Sequence, residues 1–350
     1  MNLSRPLLAL LLVARLSLAH PLPSAGSNPA PVPPVADSPF VVGAKEVEAV
    51  IQCPKGIRGR NGGVVLLVHG TGTSGSESWE QGPWLDLLPD RSPGFDVCHV
   101  TLPQRSTGDV QDTSEWVARA VQNLATKSST GKVAVVAHSQ GNLNVQWALT
   151  FWPNAVRTKV SQFIALAADF HGTLVALGYC KQGDAGGKGC SILAYQQATG
   201  SRFITTLQVA DGDRALAPTA SIYTIYDETV TPEAGSNATS ILGGASLFPL
   251  QAPELCGPLH PAEHLSMLTD PAAFEIGYRS LAAGGPIAKS SFDRESCNAF
   301  LTTSGLEQHG VARLASAAKN ALADVDTVAT APRMGGEPEI KAYAKAYAPR

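Results

Sequence analysis

Short apolar stretches divide this chain, and the segments between them carry a helical period. Residues 64–68 (VVLLV) form an unbroken aliphatic run after Gly62-Gly63, the pattern of a strand buried on both faces. Residues 133–137 (VAVVA) repeat it, residues 96–101 do so more weakly, and residues 163–167 and 222–226 give two further candidates. Between them, residues 114–125 place Trp116, Val117, Ala120, Val121 and Leu124 on one helical face, with Ser114 able to cap the start. Residues 142–151 read as a second helix, and the Ala-rich residues 311–322 as another near the C-terminus. Strands alternating with helices predict an α/β domain with a mostly parallel central sheet and helices on both faces.

The pattern fails at the N-terminus, and composition explains why. Arg5, an apolar stretch over residues 7–18 and the small residues Ser17 and Ala19 read as a signal peptide over residues 1–19. The stretch is shorter than the about 20 apolar residues a membrane span needs. Residues 20–39 are dominated by Pro, Ala and Ser and read as a propeptide or linker, leaving residues 40–350 as one catalytic-sized domain. Export gives the six cysteines meaning, since an oxidising compartment favours disulfides. Cys53, Cys98, Cys180, Cys190, Cys256 and Cys297 allow about 15 pairings, so sequence alone leaves the connectivity open. Cys180 and Cys190 bracket a Gly-rich stretch and suit a local staple, while Asn237-Ala238-Thr239 is a glycosylation sequon. Charged residues are only 16% and the net charge is −3. With no basic cluster to neutralise phosphates, nucleic acid is excluded as partner.

Ligands of parallel sheets collect at the carboxyl ends of strands, so the residues just after each strand matter most. After residues 133–137 comes His138-Ser139-Gln140-Gly141, which approximates the nucleophile elbow G-x-S-x-G with Ala137 in the first glycine's place. A sharp strand-to-helix turn there would lift the Ser139 hydroxyl above the sheet. A hydroxyl is a weak nucleophile until a base takes its proton, so a histidine and an orienting carboxylate must converge on it. The order Ser, acid, His makes Asp227 a better acid than Asp169, and spacing leaves His260 and His264 unresolved as the base. The Gly-rich loop His69-Gly70-Thr71-Gly72-Thr73 and the Gln140 backbone stand where oxyanion donors belong.

Two other patterns are set aside. Residues 70–75 (GTGTSG) spell the dinucleotide fingerprint, yet no helical run is expected to open on them and Pro83 interrupts the next segment. Residues 260–264 (HPAEH) spell a zinc-protease pattern, but a residue before proline is biased away from the helix that pattern requires. No metal or cofactor is expected.

Several motifs in one order carry a resemblance: residues 66–75 (LLVHGTGTSG), 139–147, 167–173 (AADFHGT), 226–232 (YDETVTP), 256–259 (CGPL) and Glu263-His264. Over nearly all of the chain after Gly43 the sequence resembles the Candida antarctica lipase B-like family of fungal lipases, of the α/β-hydrolase superfamily. The resemblance implies Ser139 as nucleophile, Asp227 as acid, His264 as base, and an oxyanion hole from Thr71 and Gln140. It places Asp169 and Gln197 in the acyl pocket and implies pairs Cys53–Cys98 and Cys256–Cys297, with Cys180–Cys190 as an extra bridge. His138 stands where the family's best-known member has tryptophan, on the alcohol side, and as a neighbour of the nucleophile it is expected to point away from the hydroxyl. The family's C-terminal disulfide has no counterpart. The expectation is a secreted, monomeric lipase or carboxylesterase acting on acylglycerols at a lipid–water interface, with residues 173–179 and 311–322 either forming the rim and acyl pocket or serving as ordinary core packing. The rival expectations are a short-chain esterase, polyesterase or acyltransferase, and a non-catalytic binding module of the same fold.

Overall fold

A computed structural model describes residues 32–350 apart from 81, 177–188, 299–330 and 332. The signal peptide, the helix expected at 311–322, Cys180 and part of the 173–179 rim therefore lie outside the described residues.

The strands are β1 (Ile51–Gln52), β2 (Val64–Val68), β3 (Asp96–Val100), β4 (Val133–His138), β5 (Val160–Leu166), β6 (Cys190–Ser191), β7 (Thr219–Tyr223), β8 (Ser246–Pro249) and β9 (Arg333–Met334). Seven of them form one sheet in the order β1-β3-β2-β4-β5-β7-β8, parallel except for β1 at the edge. Continuous aliphatic strands suit this sheet because both of its faces are covered. Val64, Leu66 and Val68 point into one core with Val133, Val135 and Ala137, whereas Val65 and Leu67 point into another with Ala134 and Val136. Helices α1 (Ala44–Glu48), α4 (Val110–Ala125) and α5 (Gly141–Phe151) close the first core. Trp79, Trp84 and Phe274, from α2 (Gly75–Trp79), α3 (Pro83–Asp86) and the helix Pro271–Ala283, close the second.

Among the differences from expectation, three have a clear local reason. Helix α4 begins at Val110 with Asp109 as its cap, the Asp109 carboxylate accepting from Gln111 N–H at 2.9 Å. Ser114 lies inside the helix and spends its hydroxyl proton on the Val110 carbonyl at 2.6 Å. Strand β7 stops at Tyr223, because Thr224 turns to the Ala262 carbonyl and Ile225 N–H to the Gln251 side chain. A helix does open on the Gly-rich loop: α2 starts at Gly75 with Ser74 and Glu77 forming a capping box.

Covalent ties match the resemblance where they are described. Cys53 bonds Cys98 and Cys256 bonds Cys297. Cys190 is also disulfide-bonded. The tail needs no C-terminal disulfide to be held. Glu337 accepts from the Arg202 and Phe203 N–H groups at 2.8 and 2.7 Å, and the Tyr343 hydroxyl accepts from Trp147 Nε1 at 3.0 Å. The Tyr347 hydroxyl donates to the Val32 carbonyl at 2.8 Å, joining the two ends of the described chain.

A close backbone approach lies at the start of α5. A β-carbon on Gly141 would stand 2.7 Å from the His69 carbonyl and 2.9 Å from that of Val68. Gly141→Ala should lower the unfolding free energy by about 1–3 kcal/mol through this overpacking. Urea denaturation of variant and wild type checks it; equal midpoints would show that helix and strand part without cost.

Candidate active site

Ser139 occupies the turn between β4 and α5 with φ 54°, a left-handed conformation that a non-glycine residue adopts only under constraint. Its N–H donates to the Leu166 carbonyl at the end of β5 (3.1 Å), which fixes the turn from the neighbouring strand. Gly70 lies directly opposite, where a β-carbon would come within 2.8 Å of the Ser139 β-carbon. The serine is therefore raised above the carboxyl edge of the sheet and walled by the loop after β2.

His264 reaches this turn from a non-helical loop, its Nε2 3.0 Å from Ser139 Oγ. Its Nδ1 donates to Asp227 Oδ2 at 2.7 Å, which leaves Nε2 free to accept the serine proton. Asp227 is fixed by the Thr229 and Val230 N–H groups, which donate to its other oxygen at 2.9 and 2.7 Å. Burial by itself would lower the imidazole's proton affinity, but the Asp227 carboxylate and its hydrogen bond hold His264 above the ordinary histidine value. Burial works against the Asp227 charge in turn, and the His264 charge and hydrogen bond hold that carboxyl below its usual range. His260, which spacing could not separate from His264, points elsewhere: its Nε2 is 2.7 Å from Asp270, the N-cap of helix Pro271–Ala283.

The loop after β2 is anchored from two sides. The His69 ring, kept neutral by burial that lowers it to about 4, donates from Nδ1 to the Gly70 carbonyl and accepts at Nε2 from Leu102 N–H. Gly72 N–H donates to the Arg105 carbonyl at 2.7 Å, and Arg105 Nε donates back to the Gly72 carbonyl at 2.6 Å. Arg105 belongs to a left-handed turn, Gln104, Arg105 and Ser106 having φ of 51°, 55° and 59°. Nothing in the sequence marks that turn, which contains no glycine or asparagine. Thr71 meets Gln140 here, its hydroxyl donating to Gln140 Oε1, which also accepts from Gln197 Nε2 at 3.3 Å. Among the described residues, no acceptor is found for the Thr71 or Gln140 backbone N–H groups.

Asp169 is fully buried beside this cluster with neither carboxylate oxygen hydrogen-bonded, and burial pushes it up to about 7. His138 does not simply turn away from the nucleophile, as expected. Its Nε2 donates to the His264 main-chain carbonyl at 2.9 Å and its ring centroid lies 4.8 Å from that of His264. Burial and the neighbouring His264 charge lower His138 to about 3, so it stays neutral. Asn237 of the sequon is exposed in a short 3₁₀ turn. The residues expected at the site thus converge on one end of the sheet, apart from the sequon, the cysteines and His260.

The profile of the alpha/beta hydrolase family matches residues 65–274. The Lipase B of Pseudozyma antarctica is 31% identical over 289 residues, covering 81% of this chain and 80% of that protein. The crystal structure of Aspergillus fumigatus lipase B superposes with a TM-score of 0.75 at 31% identity, covering 93% of this chain and 77% of that one. With the elbow, the seven-stranded sheet and these relatives in agreement, the chain belongs to the alpha/beta hydrolase family as a lipase-B-like serine ester hydrolase.

Proposed function

We propose that this hydrolase is a secreted lipase cleaving acylglycerol esters through an acyl-enzyme on Ser139. The observation that carries the reading is the chain from Ser139 Oγ to His264 Nε2 (3.0 Å) and from His264 Nδ1 to Asp227 (2.7 Å). Ser139 attacks the ester carbonyl while His264 takes its proton, and Asp227 orients and stabilises the imidazolium. His264 then protonates the departing alcohol. Water, deprotonated by the same imidazole, releases the acid and restores the serine. Developing negative charge on the carbonyl oxygen would be met by the Thr71 and Gln140 N–H groups, with the Thr71 hydroxyl turning from Gln140 to join them. Asp169 and Gln197 line the acyl side and His138 the alcohol side.

Disulfides support export to an oxidising compartment. No described helix is long and apolar enough to cross a membrane. Leu259, Tyr226 and Ile225 are exposed in the segments that also carry Asp227 and His264, which favours an acyl-chain substrate presented at a lipid–water interface.

Ser139→Ala should reduce turnover by about 10⁴-fold or more, since members of such a triad act as a unit. The assay pairs nitrophenyl esters of graded chain length with an emulsified triglyceride. Full activity in the variant would remove the nucleophile. Good turnover of acetate and butyrate esters with none on the emulsion would replace lipase by short-chain esterase.

Because His264 must be neutral to accept a proton, activity should fall as pH drops through its raised ionisation. Asp227→Asn should displace that acid limb to lower pH and reduce kcat by about 10⁴-fold. A kcat/KM profile of both proteins checks the sign, and an upward displacement would be incompatible with the Asp227–His264 pair.

Thr71→Val removes the hydroxyl without changing shape. A kcat loss of about 10²-fold with little change in KM is expected for a transition-state donor. Equal kcat in steady-state kinetics would confine the oxyanion contacts to the main chain.

A further inference from the structure

The loop that carries Asp227 also carries a buried acid, Glu233, that the proposed chemistry does not use. Glu233 is buried, and its surroundings determine where its proton must be. Ser240 Oγ lies 2.7 Å from the Ala168 carbonyl oxygen and 2.7 Å from Glu233 Oε1. A hydroxyl has one proton, and a carbonyl can only accept. Ser240 therefore gives its proton to Ala168, and the contact with Glu233 needs a proton supplied by the carboxyl group. Ser240 N–H donates to Glu233 Oε2 at 3.3 Å, so the two residues clasp each other. Ser240 is held in turn by the Ser221 hydroxyl of β7, which donates to its carbonyl at 2.6 Å.

We propose that Glu233 is held as a neutral carboxylic acid whose proton fastens the Asp227 loop, through Ser240, to the chain segment leaving β5, making it a positioning residue for the Asp227–His264 pair. The inference rests on the triad reading above. Ala168, the carbonyl at the far end of the relay, immediately precedes Asp169. Among the groups facing Glu233, Asp227 repels a charge there and the buried Tyr223 offers no positive charge to balance one, while the Ser240 hydrogen bonds and the His264 charge pull the other way without overcoming burial. His264 is committed to Asp227. No lysine or arginine among the described residues pairs with Glu233. Burial first, and Asp227 next among the groups that oppose its charge, raise Glu233 to about 9. When that proton leaves, the lone Ser240 hydroxyl proton must swing to the new carboxylate. Ala168 then loses its donor, and a second negative charge appears beside Asp227.

The test is Glu233→Gln, whose carboxamide stays neutral and still donates to Ser240. Wild type and variant are compared in kcat/KM on a soluble nitrophenyl ester from about pH 6 to about pH 11, with melting temperature and carboxyl-region infrared spectra alongside. At about pH 7.5 the variant should lie within about twofold of wild type. His264 loses its proton over the same range in both proteins, so the readout is the ratio of variant to wild-type kcat/KM, which should rise about tenfold between about pH 8 and about pH 10. Keeping an acid neutral opposes folding increasingly as pH rises from the ordinary carboxyl range toward about 9, so at about pH 8 the variant should melt at or above wild type. The protonated-carboxyl band at about pH 7, to which Asp169 contributes in both proteins, should be weaker in the variant by the Glu233 contribution. The proposal is overturned by an alkaline limb identical in the two proteins, by a variant that melts lower at about pH 8, or by the absence of a difference in that band. Ser139→Ala separates the two readings: if it stays active the triad is wrong, while the infrared and melting comparisons still decide the state of Glu233.

Discussion

The left-handed turn at Ser139 is the constraint on which the rest of the site depends. It exists because α5 must start almost on top of the carbonyls of Val68 and His69, an approach that only the hydrogen of Gly141 allows. The same crowding puts Gly70 against the Ser139 β-carbon, so the loop after β2 is in register with the nucleophile from the outset. Strain of this kind, of order 1–3 kcal/mol, persists only where the surroundings over-determine it. Here two faces of buried aliphatic side chains hold β2, β4 and β5 side by side and leave the turn no alternative.

Around this turn, similar groups are driven to opposite protonation states by their surroundings. Asp227 receives two N–H groups and an imidazole and is held ionised. Asp169 is equally buried, has no donor at all, and is raised. His264 is raised by its carboxylate, whereas His138, a few ångströms away, donates to a carbonyl and is driven down. One end of one sheet thus holds a charged acid beside a hard-to-charge one, and a basic imidazole beside an inert one. This separation is what proton transfer at a serine requires.

Much of this arrangement is legible in the sequence because strand burial is a local property. Residues 64–68 and 133–137 are apolar throughout, and both form central strands. The elbow is legible because its residues are contiguous. Contacts made at long range leave no such mark. Ser114 has the chemistry of a cap, yet Asp109, a residue outside the apolar period, takes that place. Residues 222–226 have the composition of one strand, yet Gln251 and Ala262 draw Thr224 and Ile225 out of the sheet. His260 and His264 differ only in which carboxylate lies within reach, Asp270 or Asp227, and no spacing rule contains that information. The Arg105 clamp and the Glu233–Ser240 clasp reach segments far apart along the chain and leave no trace in composition or motif.

The contact between the Tyr347 hydroxyl and the Val32 carbonyl has a topological consequence. It brings the two ends of the described residues together, away from the turns that carry Ser139, Asp227 and His264 in the linear order. Where ends are neighbours, a short covalent bridge between them closes a small loop and costs little chain entropy. Residues 32–350 thus resemble a ring opened at one place, and the opening could be moved to an exposed turn such as that at Gly131 with the described sheet left as it is.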